Sequence, residues 1–410
     1  MTAPIFGMQF FRPDDEPVPV LGADFSKILV IETSADASAT EYPVDTAVRI
    51  SSSDKEAVTA LGSGLLADMV KGINAQLDGL NSGADVTVVR VAEGQTVAET
   101  AAAIAEVLEG VESIPPLVNA TPRIIVAGRT AWRADLQTTN PVVAALETAC
   151  GKLLAIAPVD VDDTSRDNAI DARETMNSER LMPIGVMARV YEGTNLVTRS
   201  MAARVAGLFA RIDNENLGKP FNPIANRPIR GLAGLSRRIP FSLLDGSTEG
   251  QQLLDGDVSI VVPGEVNVDG AVADGGFMFI GTDNTATSEL WKQIHQVRGC
   301  DYLTVKIMQI TRQFLGRKIT ADLVEAWINS IAFMLRDHQA AGDILGYTPQ
   351  SQMFKASKNS PEEIRLGTLK IDIGIEPAPA FKRADHEIRR YRPAVEGLVN
   401  EIVARLNSAA

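Results

Sequence analysis

Short β-branched runs alternate with helical periodicity through the first half of this chain. The runs KILVIETS (27–34), AVRIS (47–51), VTVVRV (86–91), RIIVAG (123–128), LLAIAPV (153–159) and LMPIGVMARV (181–190) have strand character, and 64–77, 95–112 and 141–151 read as helices between them. That order predicts a largely parallel sheet with helices packed on it. Within 95–112, Val97, Ala101, Ile104, Val107 and Leu108 recur at spacings of three and four, which predicts one buried face.

From about residue 199 the pattern changes. RSMAARVAGLFARID reads as a helix with small residues on one side, and IPFSLLD (239–245), VSIVVPG (258–264) and FMFIGT (277–282) as strands. Two longer helical patterns follow: 287–314, with Trp291, Ile294, Val297 and Arg298 in its opening turns, and a stripe of Leu323, Trp327, Ile331, Met334 and Leu335. LGTLKIDIGIEPAPA alternates Leu369, Ile371, Ile373 and Ile375 with polar or small residues, a strand ended by Pro377 and Pro379. Beyond a polar, locally basic stretch, Val395, Leu398, Val399, Ile402, Val403 and Leu406 share one helical face that needs a surface to cover. At the other end PIFGMQFFRPDDEPVPV is extended in character, with Phe10 and Phe11 ahead of a Pro-rich acidic run. Both ends read as arms. The expected fold class is α/β grading to α+β in a multi-domain chain: an N-terminal arm over 1–22, an α/β domain over 23–198, a second domain over 199–376, and a C-terminal arm with an amphipathic helix over 377–410.

With 410 residues, 45% of them hydrophobic, the chain can bury a large core. Its longest apolar runs fall far short of the roughly twenty residues that span a bilayer, so no membrane span is expected. The first residues lack a basic stretch followed by an apolar block, so assembly in a cytoplasm is expected. A formal charge of −13 argues against sequence-independent nucleic-acid binding and leaves protein as the expected partner. Cys150 and Cys300 read as two reduced core thiols.

Chemical candidates are weak. Gly62, Gly64 and Ala67 have the spacing of a dinucleotide-binding turn, but SSDKEAVTA precedes them where an apolar strand is required. Asp160, Asp162, Asp163, Asp167 and Asp171 begin at the C-terminal end of an expected strand; they read either as a metal cluster or as helix capping by Asp163 or Thr164. Counting from Asp160, Ser165 stands where a calcium loop needs glycine. His295, His338 and His386 fall on separate elements, and no Gly-x-Ser-x-Gly elbow or phosphate loop is present. No catalytic, cofactor-binding or metal-binding residue is assigned.

The segment 206–231 carries the positive case. It runs from a small-residue helix into a loop rich in Pro and Asn, with Lys219, Arg227 and Arg230, and loops of that length inside a compact chain usually bind something. Ala206-Gly207, Ala210-Arg211, Asp213, Gly218, Pro223, Ala225-Asn226, Gly231 and Gly234-Leu235 together resemble the signature of contractile phage tail sheath proteins, a family related to the sheaths of R-type pyocins and type VI secretion machines. The likeness continues through FSLLDGSTEGQQLL, GGFMFIGT and LWKQIHQVRGCDYLTVKI, with Trp291 and Arg298, and reaches back to TEYPVDTAVRISSSDKEAVTALGSG and LNSGADVTVVRVAEG. It departs at Lys219-Pro220-Phe221, where an aromatic often precedes a compact Pro-Ala-Asn, and at Gly281-Thr282-Asp283-Asn284; the C-terminal helix is an addition.

The resemblance implies a homo-oligomeric helical polymer around an inner tail tube, with baseplate and tail terminator proteins as further partners, in a virion tail assembled in the bacterial host cytoplasm. It implies an outward-facing first domain, arms donated to neighbouring subunits, and contraction by rigid-body reorientation without cofactor or nucleotide. Expected subunit or tube contacts are Phe10, Phe11, Arg211, Asp213, Arg227, Arg230, Lys382, Arg383, Arg389, Arg390 and Arg392. Two alternatives stay open: a non-contractile tail or baseplate assembly protein, and a soluble α/β nucleotide-binding enzyme.

Overall fold

A computed structural model describes residues 24–77, 83–135 and 138–408. The chain divides into two units, one ending at Ala378 and the other beginning at Pro379.

The larger unit opens with β1 (Ile28–Thr33), β2 (Ala47–Ser51), α1 (Lys55–Ala60), α2 (Leu65–Gln76), β3 (Asp85–Val91), α3 (Val97–Glu109), α4 (Ile114–Val118) and β4 (Ile124–Ala127). The strands form a four-stranded sheet in the order β2-β3-β1-β4, parallel except for β2 at the edge. Then come α5 (Pro141–Leu153), β5 (Ala157–Asp160), α6 (Arg166–Glu174), β6 (Leu181–Ile184), β7 (Ala188–Glu192), β8 (Asn195–Arg199) and α7 (Met201–Glu215). The run 181–190 is thus two strands, with β7 turning away to form a hairpin with β8. After α7 lie β9 (Arg227–Ile229), β10 (Gly234–Leu235), α8 (Glu249–Asp255), β11 (Ile260–Pro263) and β12 (Phe277–Ile280). Residues 239–245 form a loop rather than the expected strand.

The parallel and antiparallel halves are one surface. β5 and β6 pair in parallel, a bridge at Ile124 and Ile156 joins β4 to the residue before β5, and a second at Ile184 and Ser259 joins β6 to the start of β11. β11, β12 and β9 continue antiparallel. A single apolar core accordingly runs from Ile28 to Ile294. A second core lies among α9 (Ile294–Arg312), α10 (Ala321–Ala340), β13 (Ile344–Tyr347) and α11 (Gln350–Met353), followed by α12 (Pro361–Arg365) and β14 (Ile375–Pro377). The overall mix of helices and strands in several sheets is α+β.

Local sequence explains the helix starts. Asn140 accepts from the amides of Val142 (2.7 Å) and Val143 (3.3 Å), with Pro141 at the first helical position of α5. Ser165, rather than Asp163 or Thr164, caps α6 by accepting from the Asn168 amide. On α3, Ala101, Ile104 and Leu108 are buried as the spacing predicts, whereas Val97 in the first turn is exposed. Trp291 precedes α9 in a short 3₁₀ turn instead of sitting within it.

Helix α7 is the axis of the unit: every residue from Met201 to Asp213 is buried. Its small residues allow close contact with α2, and a Cβ on Gly207 would lie 2.7 Å from the Ile73 carbonyl oxygen. Its first amides are satisfied from two sources. Ser200 accepts from the Ala203 amide (3.2 Å), while Asp160 at the end of β5 accepts from the amides of Met201 (3.1 Å) and Ala202 (2.8 Å) and from the Ser200 hydroxyl (2.5 Å). Burial pushes the Asp160 carboxyl up to about 6 despite these donors.

Two outcomes follow for stability. Gly207→Val should cost about 1–3 kcal/mol by overpacking, read as a lower urea midpoint at unchanged slope. The raised Asp160 pKa makes its contribution full below pH 3.8 and progressively lost as pH rises through about 6. The melting-temperature advantage of the wild type over Asp160→Asn should therefore grow as pH falls from 7 to 5; a difference that stays flat over that window contradicts the assignment.

Candidate assembly surface

The loop after α7 is built around a buried charge pair. Asp213, in the last turn of α7, receives two hydrogen bonds from Arg298 on α9, Nη1 to Oδ1 at 3.0 Å and Nη2 to Oδ2 at 2.5 Å, and both side chains are 1% exposed. Arg298 Nη2 also donates to the Phe25 carbonyl (3.2 Å), and its guanidinium stacks over the Phe209 ring at 4.7 Å. Burial pushes the Asp213 carboxyl above its usual range against the pull of Arg298. The chain then turns through Leu217 (φ 57°) and Gly218 (φ 77°), and the Gly218 carbonyl accepts from the Phe25 amide at 3.1 Å.

The next residues pin the loop to the second core. Phe25 and Phe221 each meet the Tyr302 ring edge-on at 5.5 Å, and His338 lies 5.3 Å from Phe221 and 5.6 Å from Tyr302. His338 Nδ1 is 2.7 Å from Asp343 Oδ2, which Lys219 also approaches at 3.7 Å. The loop's Pro and aromatic residues thus serve the fold.

Arg211 and Asp213, expected at a subunit or tube contact, are interior. Arg211 is 3% exposed and donates to the carbonyls of Gln76 (3.3 Å) and Pro228 (2.8 Å). Burial lowers its pKa, and Arg230 and Arg227 add to the effect by repulsion. Those two arginines are exposed, at an edge strand: among the described residues β9 pairs with β12 on one side only. Gln76 fixes the backbone there, donating to the Arg230 carbonyl (2.9 Å) and accepting from its amide (3.0 Å). The result is a cationic edge with one buried and two exposed guanidinium groups. Gln76, with no charge and no motif, gave no sequence signal.

The second unit holds the other cations. Lys382, Arg383, Arg389, Arg390 and Arg392 are exposed; Arg383 meets Asp385 at 2.8 Å, Arg392 meets Glu396 at 2.9 Å, and Arg389 meets Glu387. Its helix α13 (Arg392–Ser408) has no buried residue, so Val395, Leu398, Val399, Ile402, Val403 and Leu406 all lie between 47% and 67% exposed. Phe10 and Phe11 fall outside the described residues.

The remaining candidates are engaged elsewhere. Asp163 accepts from the Met187 amide (3.2 Å) and the Ser236 hydroxyl, Asp162 from Thr164, and Asp167 pairs with Arg166. Among the described residues no three His, Cys, Asp or Glu side chains could hold a metal ion. Gly62 and Gly64 follow α1, not a strand, and start α2. Cys150 is buried and Cys300 half-buried, and both are free thiols. No helix among the described residues is long and apolar enough to cross a membrane.

No family model and no curated protein matches this sequence. Solved structures do. The chain is similar to a chain of the anti-feeding prophage baseplate (12% identity, TM-score 0.67), with 95% of this chain and 100% of that one covered. It is equally similar to the sheath complex of an extracellular contractile injection system, PVC, in its contracted state (14%, 0.67, 95% and 99%) and to the contracted helical sheath of the anti-feeding prophage (13%, 0.67, 95% and 100%). Nearly the whole chain therefore has the fold of contractile injection system sheath subunits.

The buried pair and the exposed arginines should behave oppositely. Asp213→Ala strands a buried guanidinium and should cost about 3–5 kcal/mol, whereas Arg227→Ala should stay within about 0.5 kcal/mol, both by urea denaturation.

Proposed function

We propose that this protein is the structural subunit of a contractile sheath. Copies polymerise helically around an inner tube, held by terminal segments donated to neighbours, and shorten by rigid-body reorientation that drives the tube through a target envelope. The observation that carries this reading is the sheath fold over 95% of the chain, joined to a terminal helix that buries none of its apolar face. No chemistry is required of the subunit. The work comes from contacts that are better in the shortened packing.

The donated segments have a natural receiver. β13 and β14 pair only with each other among the described residues, which leaves outer backbone edges for a further strand. Arg227 and Arg230, with Lys382, Arg383, Arg389, Arg390 and Arg392, supply cations for an acidic face on a neighbour or the tube, and the N-terminal arm with Phe10 and Phe11 supplies a second tether. Baseplate and terminator proteins bound the polymer at its ends, and the particle is a phage-like tail assembled in the bacterial cytoplasm. An outward-facing 23–198 belongs to the same reading. The baseplate chain among the similar structures favours one second reading, a ring-forming baseplate component.

Electron microscopy of the purified chain at high concentration should show hollow cylinders; closed rings that do not extend would favour the baseplate reading, and a single compact particle would exclude both. Removing 379–410 should abolish cylinders while leaving the melting temperature of the larger unit within a few degrees.

A further inference from the structure

The larger unit contains an apolar groove of about 810 Å³ that the fold does not use. Its apolar lining is Ile319 just before α10, Val324 and Ile328 on α10, Phe354 after α11, Ile364 on α12, and Leu369, with Glu325, Gln350 and Ser351 also lining it. Leu369 begins the alternating segment expected to be a strand, yet among 366–374 only Ile371 makes a bridge, to Phe354, and strand pairing waits until Ile375. The groove is thus a gap between helices whose third side is an extended segment that is not part of a sheet.

We infer that this groove receives helix α13 of a second copy, an inference that rests on the sheath reading above. Both complementary surfaces belong to the same chain. Val395, Leu398 or Val399, Ile402 and Leu406 recur at three and four, the anchor pattern of an amphipathic helix laid into an apolar groove. The groove's open volume matches what a few aliphatic anchors fill, since ligand-sized clefts run from about 300 to 1,000 Å³. Charge agrees with the same occupant. Asp322 and Glu325, in the first turns of α10, are exposed and make no ion pair among the described residues, while the approach to α13 carries Arg389, Arg390 and Arg392.

Reach permits a neighbour. The residues between Ala378 and Arg392 have no helix or strand, and extended they span about 40 Å at 3.3 Å per residue. A body of this length has a radius of gyration of about 21 Å, so the tether is long enough to reach an adjoining copy. Each copy would then give one helix and receive one, a head-to-tail contact that does not close on itself.

The test uses the full chain carrying Leu398→Cys and Val324→Cys together, oxidised after assembly, with each single variant as control. Native Cys150 is buried and does not compete, and the half-buried Cys300 is changed to Ser in every variant. A ladder of multimers on a non-reducing gel is expected from the double variant and from an equimolar mixture of the two singles a dimer band that neither gives alone. Cylinders by microscopy with no ladder would overturn the groove assignment and leave the sheath reading standing. A cross-link confined to the monomer band would overturn the choice of a second copy. A ladder without cylinders would support the docking while removing the sheath reading, and neither ladder nor cylinders would remove both. Ile402→Cys with Ile364→Cys repeats the test should the first pair disturb folding.

Discussion

One buried ion pair holds the molecule's two cores in register. Asp213 and Arg298 come from the end of α7 and the beginning of α9, and each helix belongs mainly to a different apolar cluster. Charges this deep are tolerated only when paired and hydrogen-bonded with good geometry, because desolvation alone costs several kcal/mol per ion. The geometry supplies two parallel bonds to the carboxylate, a third to the Phe25 carbonyl, and the face of Phe209 against the guanidinium, while the buried Arg298 Nε has no hydrogen-bond partner among the described residues. Any slip of α9 against α7 would leave an uncompensated charge in an apolar interior, so the pair fixes the angle between the halves more sharply than aliphatic packing could.

The features around it follow from that constraint. For α7 to reach α9 it must pass through the middle of the large core, so its whole length is buried and its residues are small where α2 crosses. A buried helix start needs partners for its amides, and Asp160 supplies them from a neighbouring strand. The loop beyond α7 then spends its Phe, Pro and Gly residues on the second core. What remains for the outside is the edge of β9, where Arg211 underneath keeps Arg227 and Arg230 beside a third positive charge.

The terminal unit has the opposite character. A single helix of seventeen residues is marginal alone in water, and its half-exposed aliphatic face lowers free energy only when covered. An element of that kind stores binding capacity rather than stability. The larger unit closes its own cores without it.

Periodicity in the sequence determined most elements, because a buried face leaves a repeat of two or of three and four whatever it packs against. That is why the parallel strands, α3, α9, α10 and the bare stripe of α13 were legible. The motif around Arg211, Asp213 and Arg298 was legible as a family resemblance, but its meaning was not: from sequence the charges looked available for partners, and only packing showed Arg211 and Asp213 enclosed. The strand pattern at 366–375 misled for a related reason, since alternation records which side faces the core and not whether a backbone neighbour exists. Ladder partners, the join of three sheets through single bridges, and the groove beside α10 all depend on residues far apart in the chain. No local pattern carries such distances; only the tertiary structure decides them.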